Sequence, residues 1–298
     1  MNLNGARIIL TGAGGGVGAA LSLALARQGA RLLLVGRREA PLQTVKDKLD
    51  KLGAEAGILP IDLCTPPGRE VLLDAVTSFW EGVDVLINNA GVLDFAPLHD
   101  SDPEAIERVI ETNLVGPILL TRTLLPALHR SGCARIVNIG SVFGSIGFPC
   151  FSAYCASKFG LRGFSEALRR ELTGSTVGVT YVAPRAVRTA MNTDAVHRFA
   201  AATRMPMDEP EWVAERIVRA LHRDRKTVHL GSAEPWFARI NAILPSLVDR
   251  AIRKQTPLAL RTARKAAGAC KEIGMPVSLF SRQKDLLVSE DTDMGNLS

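Results

Sequence analysis

The chain has 298 residues, of which 47% are apolar and 22% charged, and a formal charge of +6. That balance excludes disorder as the default state and allows a sizeable core. Its five cysteines (Cys64, Cys133, Cys150, Cys155, Cys270) form no CxxC pair and its five histidines are scattered, so neither a disulfide framework nor a metal site is expected.

The first ten residues run straight into a strand-like segment and lack the basic and apolar regions of a signal peptide. The expected location is cytoplasmic, with a peripheral membrane association left open. The first half alternates short apolar runs with longer amphipathic ones. Residues 6–12, 31–36, 55–62, 83–91, 134–141, 177–184 and 227–231 read as strands, near-continuously apolar as strands buried on both faces must be. Helix-like periodicity lies near 16–29, 39–53, 67–80, 103–130, 152–173 and 209–223. The uncharged stretch from Ile136 to Ser157 is long enough to span a membrane. Gly140, Gly144, Gly147 and Pro149 interrupt it, so it reads as a buried strand, a loop and a helix start.

This alternation predicts an α/β fold: a Rossmann-type, doubly wound, parallel seven-stranded sheet with helices on both faces. Right-handed crossovers then bring the carboxyl ends of all strands to one edge, where ligands bind. The catalytic domain is expected over 1–235 and a basic, amphipathic helical extension over 236–285, with a polar, acidic, disordered tail at 286–298. From Trp236 to Lys271 eight basic residues face one acid, Asp249.

The first strand runs into Thr11, Gly12, Ala13, Gly14, Gly15, Gly16, Val17 and Gly18, where a helix begins. Glycines let the backbone approach a pyrophosphate, and the helix N-terminus offers free N–H groups and a positive dipole. After the second strand Gly36 stands where an acid would bind a ribose 2′-hydroxyl, and Arg37 and Arg38 follow. An arginine there accommodates a 2′-phosphate, which favours NADP(H) over NAD(H); a solvated surface pair is the bland reading. Asp62 and Leu63 follow the third strand, where the carboxylate would reach an adenine amino group or else cap a loop.

Ser141 ends the fifth strand, Tyr154 and Lys158 share a helix face four residues apart, and Asn113 interrupts an apolar helix. Hydride transfer to a carbonyl creates an alkoxide that must collect a proton. A phenol beside an ammonium carries one, the expectation being that the lysine lowers its pKa below the usual ~10. Ser141 would hold the substrate oxygen, and Asn113 a water that relays protons.

A bare YxxxK proves little. Here TGxxxGxG, Asn88-Asn89-Ala90-Gly91, Asn113, Ser141 and Tyr154-Cys155-Ala156-Ser157-Lys158 occur in order, and the set resembles the short-chain dehydrogenase/reductase family over roughly residues 4 to 235. The resemblance implies an NADP-dependent oxidoreductase acting on CH–OH and C=O groups, with Asn113, Ser141, Tyr154 and Lys158 catalytic. It implies cofactor contacts from the glycine turn, from Asn89, Ala90 and Gly91 on the adenosine side, from Tyr154 and Lys158, and from Pro184, Val187 and Thr189 near the nicotinamide. Arg185 departs from the family's Pro-Gly turn, either pointing away or narrowing the substrate mouth.

Residues 188–208 occupy the place of a mobile lid, where Met191, Phe199, Met205 and Met207 either face a lipophilic substrate or only pack the lid down. The substrate is expected to be a small-molecule ketone or alcohol, lipophilic or acyl, and the assembly a homo-oligomer (dimer or tetramer). The extension is open to four readings: a membrane-surface helix, a subunit contact or pocket cover, a basic surface for an acyl carrier at 236–271, or a solvated appendage. No nucleic-acid module is present. The alternative function is a non-catalytic NADP(H)-binding regulatory protein, or an interaction protein working through the extension.

Overall fold

The computed structural model describes residues 1–231 and 234–272. Seven parallel strands, β1 (Arg7–Thr11), β2 (Arg31–Gly36), β3 (Ala56–Pro60), β4 (Val85–Asn88), β5 (Ala134–Ile139), β6 (Val177–Ala183) and β7 (Thr227–His229), form one sheet. Their order is β3-β2-β1-β4-β5-β6-β7. The chain winds outward from β1 in one direction, then returns to β4 and winds the other way. The reversal opens a crevice at the carboxyl ends of β1 and β4, the place where such sheets take ligands.

Because successive strand residues point to opposite faces, each strand feeds two cores. Ile8 and Leu10 of β1 join Leu21 and Leu25 of α1 (Gly16–Ala26) and Val213 and Ile217 of α8 (Pro210–His222). Ile9 points the other way, into a layer with Leu72 and Val76 of α3 (Pro66–Phe79), Leu120 and Leu124 of α5 (Gly116–His129) and Leu168 of α6 (Ser152–Glu171). Each such side chain, buried outright, contributes roughly 1.5–3 kcal/mol. Helix α2 (Glu39–Asp50) covers the β2 side through Leu42, Val45 and Leu49. The predicted α/β, doubly wound, seven-stranded architecture is the one observed.

Two elements differ from expectation. The helix predicted over 103–130 is three pieces: α4 (Pro103–Ile110), a π-helical turn (Glu111–Val115), and α5. The lid region contains a helix of its own, α7 (Asp194–Ala202), started by Thr193, whose hydroxyl accepts the Val196 N–H. Beyond β7 the extension forms α9 (Glu234–Ile243), α10 (Pro245–Arg253) and α11 (Thr256–Glu272). The acidic tail expected at 286–298 lies outside the described residues. Among the described residues no helix, including the one that follows Ile136, is long and apolar enough to cross a membrane.

Candidate active site

The glycine turn links β1 to α1 at the crevice. Gly15 caps α1 with no side chain, and no acid lies in the first turn, so the first N–H groups and the positive end of the helix dipole stand open to an anion. Steric limits explain the glycines. A Cβ at Gly12 would sit 2.7 Å from Ala90 Cα, and one at Gly18 would fall 2.1 Å from the Gly12 carbonyl oxygen. A Cβ at Gly14 would press on Pro41, and one at Gly16 would lie 2.9 Å from Thr189 Cγ2, whereas at Gly15 it would meet nothing within 4 Å. Val17 follows Gly16 in the first turn of the helix.

The turn is tied to the end of β4. The Asn89 side-chain amide donates to the carbonyls of Thr11 (3.0 Å) and Gly12 (3.2 Å), and the Thr11 hydroxyl accepts from the backbone N–H groups of Asn89 and Ala90. Asn88 points into the sheet, donating to Asn138 at 2.8 Å, which in turn donates to Ser165. Arg37 is exposed just past β2, without an ion pair among the described residues, and Arg38 opens α2. Asp62 accepts from the Cys64 N–H at 2.9 Å, the loop-capping arrangement; Leu63 is half-buried beside it and offers its carbonyl to Arg69.

On the other side of the crevice, Ser141 follows β5 and starts a tight turn by accepting the Phe143 N–H at 3.1 Å. Its backbone is pinned by Tyr181 of β6, whose hydroxyl donates to the Ser141 carbonyl at 3.3 Å. A Cβ at Gly140 would lie 2.2 Å from the Tyr181 ring, so glycine and tyrosine require one another. Tyr181 escaped sequence reasoning, although a lone phenol in the apolar run of β6 was the signal.

Tyr154 lies in the first turn of α6, with the Ser141 side chain near enough to its hydroxyl to favour the phenolate. Lys158, one turn on, is buried; its ammonium donates to the Ile139 carbonyl at 3.0 Å and lies 5.7 Å from the Tyr154 ring centroid. Burial brings Lys158 down from 10.5 to about 8. Burial likewise pushes the Tyr154 phenol up to about 12, Ser141 opposing it only in part. The expected lowering of the phenol by its lysine is therefore not met by the protein's own groups: desolvation outweighs a charge set off beneath the ring.

Asn113 sits in the π-turn, fully buried. Its Oδ1 accepts the Val92 N–H at 2.8 Å, and its Nδ2 donates to the Val92 carbonyl (2.8 Å) and to Ser157 Oγ (3.1 Å). Both amide protons are used, so the side chain has no donor left for the expected water. A Cβ added at Gly91 would fall 3.2 Å from Asn113 Oδ1 and 3.7 Å from Lys158 Nζ, which places the three together. Pro184 and Val187 are buried at the end of β6, and Thr189 packs on Gly16, closing the circuit back to the glycine turn.

Arg185 points into a clasp. Its guanidinium donates to both oxygens of buried Asp208 (2.9 and 2.7 Å) and reaches Glu234 of α9 at 3.4 Å. Above Tyr154 lies an aromatic wall of Phe95, Phe143, Phe148, Phe151 and Phe199, into which Met205 and Leu258, Ala259, Leu260 and Ala263 of α11 also pack. Cys150, at the wall's base, holds a left-handed φ of 67°, a strained geometry of the kind found at functional loops. A concavity lined by Asn4, Gly5, Arg31 and Glu55 among others lies at the amino ends of the strands, away from this crevice.

A doubly wound sheet with an uncapped glycine turn facing a Ser-Tyr-Lys cluster across its switch point defines a nucleotide-binding oxidoreductase of the Rossmann type. The family model described as short chain dehydrogenase matches residues 6–198, and the chain belongs to the short-chain dehydrogenase/reductase family. It is 31% identical to the ketoacyl reductase HetN of Nostoc sp., over 84% of this chain and 89% of that protein. Among solved structures it resembles a short-chain dehydrogenase/reductase from Burkholderia phymatum in complex with NAD (TM-score 0.76, 25% identity, 83% of this chain and 96% of that one). It also resembles a metagenomic short-chain oxidoreductase in complex with NADP (TM-score 0.66, 31% identity, 77% and 98%).

Proposed function

We propose that the protein interconverts a ketone and a secondary alcohol using NADP(H), on a lipophilic or acyl small molecule. The observation that carries the reading is the buried Lys158 ammonium one turn from the Tyr154 phenol, 5.7 Å from its ring centroid, with Ser141 close by. The dinucleotide fits the residues present: the glycine turn leaves no room for a Cβ at Gly12 or Gly18 while leaving Gly15 open. Gly12 to Gly18 would hold the pyrophosphate, Arg37 and Arg38 the 2′-phosphate, Asp62 and Leu63 the adenine, and Asn89, Ala90 and Gly91 the adenosine side. Pro184, Val187 and Thr189 would border the nicotinamide, which when bound supplies or receives the hydride.

Ser141 orients the substrate oxygen against the Tyr154 hydroxyl. A phenol pushed up to about 12 stays protonated throughout the physiological range, so Tyr154 is poised to give its proton to a developing alkoxide in the reductive direction. Lys158, at about 8, is mostly charged at neutral pH and holds positive charge beneath the phenolate left behind. Asn113 locks the loop after β4 against α6 and keeps the floor of the site in place. The names of relatives, a ketoacyl reductase among them, support carbonyl chemistry without choosing the substrate.

The test is NADPH consumption across acyl, steroid and short aliphatic ketones at neutral pH. Tyr154→Phe should lower turnover by about 10²-fold or more while NADPH still binds. Undiminished turnover in that variant would remove the proton role, and NADPH binding with no ketone turned over would favour the regulatory reading.

A further inference from the structure

We infer that α9 and α10 form a docking surface for an anionic lipid membrane. The two helices meet at Leu244 and rest on the loop that carries Ser141. Ile240, Val248 and Ile252 pack on Val142 and Ile146, and the Asn241 amide donates to the Ser145 carbonyl at 2.9 Å. The inward face is thus accounted for. The outward face is not apolar core turned to water by accident of one residue: Trp236 is 63% exposed, Ile243 76%, and Phe237, Leu244 and Leu247 are each at least half exposed. Trp236, Arg239 and Ile243 fall at i, i+3 and i+7 and so share one stripe of α9.

Charge names the occupant. Arg239, Arg250, Arg253 and Lys254 are exposed on these helices, and none has an ion-pair partner among the described residues. Arg239 lies over the Trp236 ring, 5.3 Å from its centroid. The acids of the same two helices are Asp249, which is exposed, and Glu234, which is engaged by Arg185. A two-fold contact with a second copy would set these cations against themselves, because the same patch faces itself across the axis. An anionic lipid surface matches both features at once: protruding aliphatic and indole side chains enter the headgroup boundary, and the cations meet the lipid charge. At nine and ten residues, the helices can lie on a bilayer but not span it. Docked so, the loop bearing Ser141 stands at the lipid surface, within reach of a lipophilic substrate. That last clause rests on the reaction proposed above; the docking does not.

The full chain should co-sediment with vesicles of equimolar phosphatidylcholine and phosphatidylglycerol at roughly 0.1 M salt, and be released near 1 M, where screening shortens to about 3 Å. Vesicles of phosphatidylcholine alone should retain far less. Arg250→Glu with Arg253→Glu should weaken partitioning roughly five-fold or more for each charge removed, and Ile243→Asp with Leu247→Asp should abolish it. Brominated lipid should quench the wild-type tryptophan emission but not that of Trp236→Phe, a readout that does not depend on how the charged variants fold. The proposal is overturned if the chain ignores anionic vesicles, or if sedimentation and quenching survive these substitutions. It is equally overturned if the apolar variants instead dissolve a lipid-free dimer, or if an acidic carrier protein binds the arginines while vesicles do not. Vesicle binding without ketone turnover would leave the docking intact and sink the reaction, so the two fail separately.

Discussion

Lys158 carries its charge where water is scarce, and the consequence is readable in stability. Below about pH 8 the lysine is protonated whether the chain is folded or not, and the desolvation cost is felt in full. Between about 8 and 10.5 the unfolded chain holds a proton that the folded chain has released, so stability rises with pH across that window. At about 1.4 kcal/mol per pH unit, the gain is on the order of 3 kcal/mol. Lys158→Met should lack the rise, as urea unfolding of both proteins without nucleotide from pH 7 to 10 would reveal; parallel curves would place the lysine in a more hydrated setting. Arg37 offers a second test at this scale. Arg37→Ala removes a charge-assisted contact worth about 1.5–3 kcal/mol, so NADPH affinity should fall roughly 10- to 100-fold while NADH affinity barely moves. Equal losses by titration would defeat the 2′-phosphate assignment.

At the scale of elements, the lid is fastened at its base. Asp208 is buried, exchanges backbone hydrogen bonds with Ala186 and Arg188, and takes both of its side-chain contacts from Arg185. Arg185→Ala leaves that carboxylate without its cation and should cost about 2–3 kcal/mol. Pairing it with Asp208→Asn should recover part of the loss, and a urea titration of the two variants decides it. The resemblance implied a glycine at this position, and the sequence left open whether the arginine narrowed the substrate mouth; its acidic partners lie 23 and 49 residues further on, beyond any local reading. Other elements were more legible. The inner strands were visible because burial on both faces demands continuous apolar runs, and the less buried edge strands β3 and β7 because short apolar runs lie between turn residues. Helix α7 was missed because nine residues, mostly small, give a weak period, although Thr193 followed by Val196, Phe199 and Ala200 was a cap and a face. The π-turn at Asn113 was illegible, since the phase shift of one extra residue is hard to see in segments as short as those that flank it; what marked it was only a polar amide in an apolar helix.

For the whole molecule, the extension packs onto the body and is not a solvated appendage. Its α11 sets Ala259 and Ala263 against the wall formed by Phe95, Phe151 and Phe199, and Arg264 reaches Asp100 at 3.6 Å. A chain ending at residue 235 should lose several degrees of Tm and bind a hydrophobic dye where the wild type does not, because it uncovers that aromatic cluster. An unchanged melting curve would show α11 to be dispensable.

The sequence by itself determined the winding of the sheet and the place of the glycine turn, because each follows from periodicity or from residues a few positions apart, while Ser141, Tyr154 and Lys158 were singled out through the resemblance to a family. Tertiary structure alone decided that Tyr181 holds Ser141, that Asn113 spends its amide on Val92, that Arg185 is clasped and that burial lifts the Tyr154 phenol. Those outcomes depend on which distant side chains meet and on how much water is excluded when they do, and neither quantity is carried by local spacing.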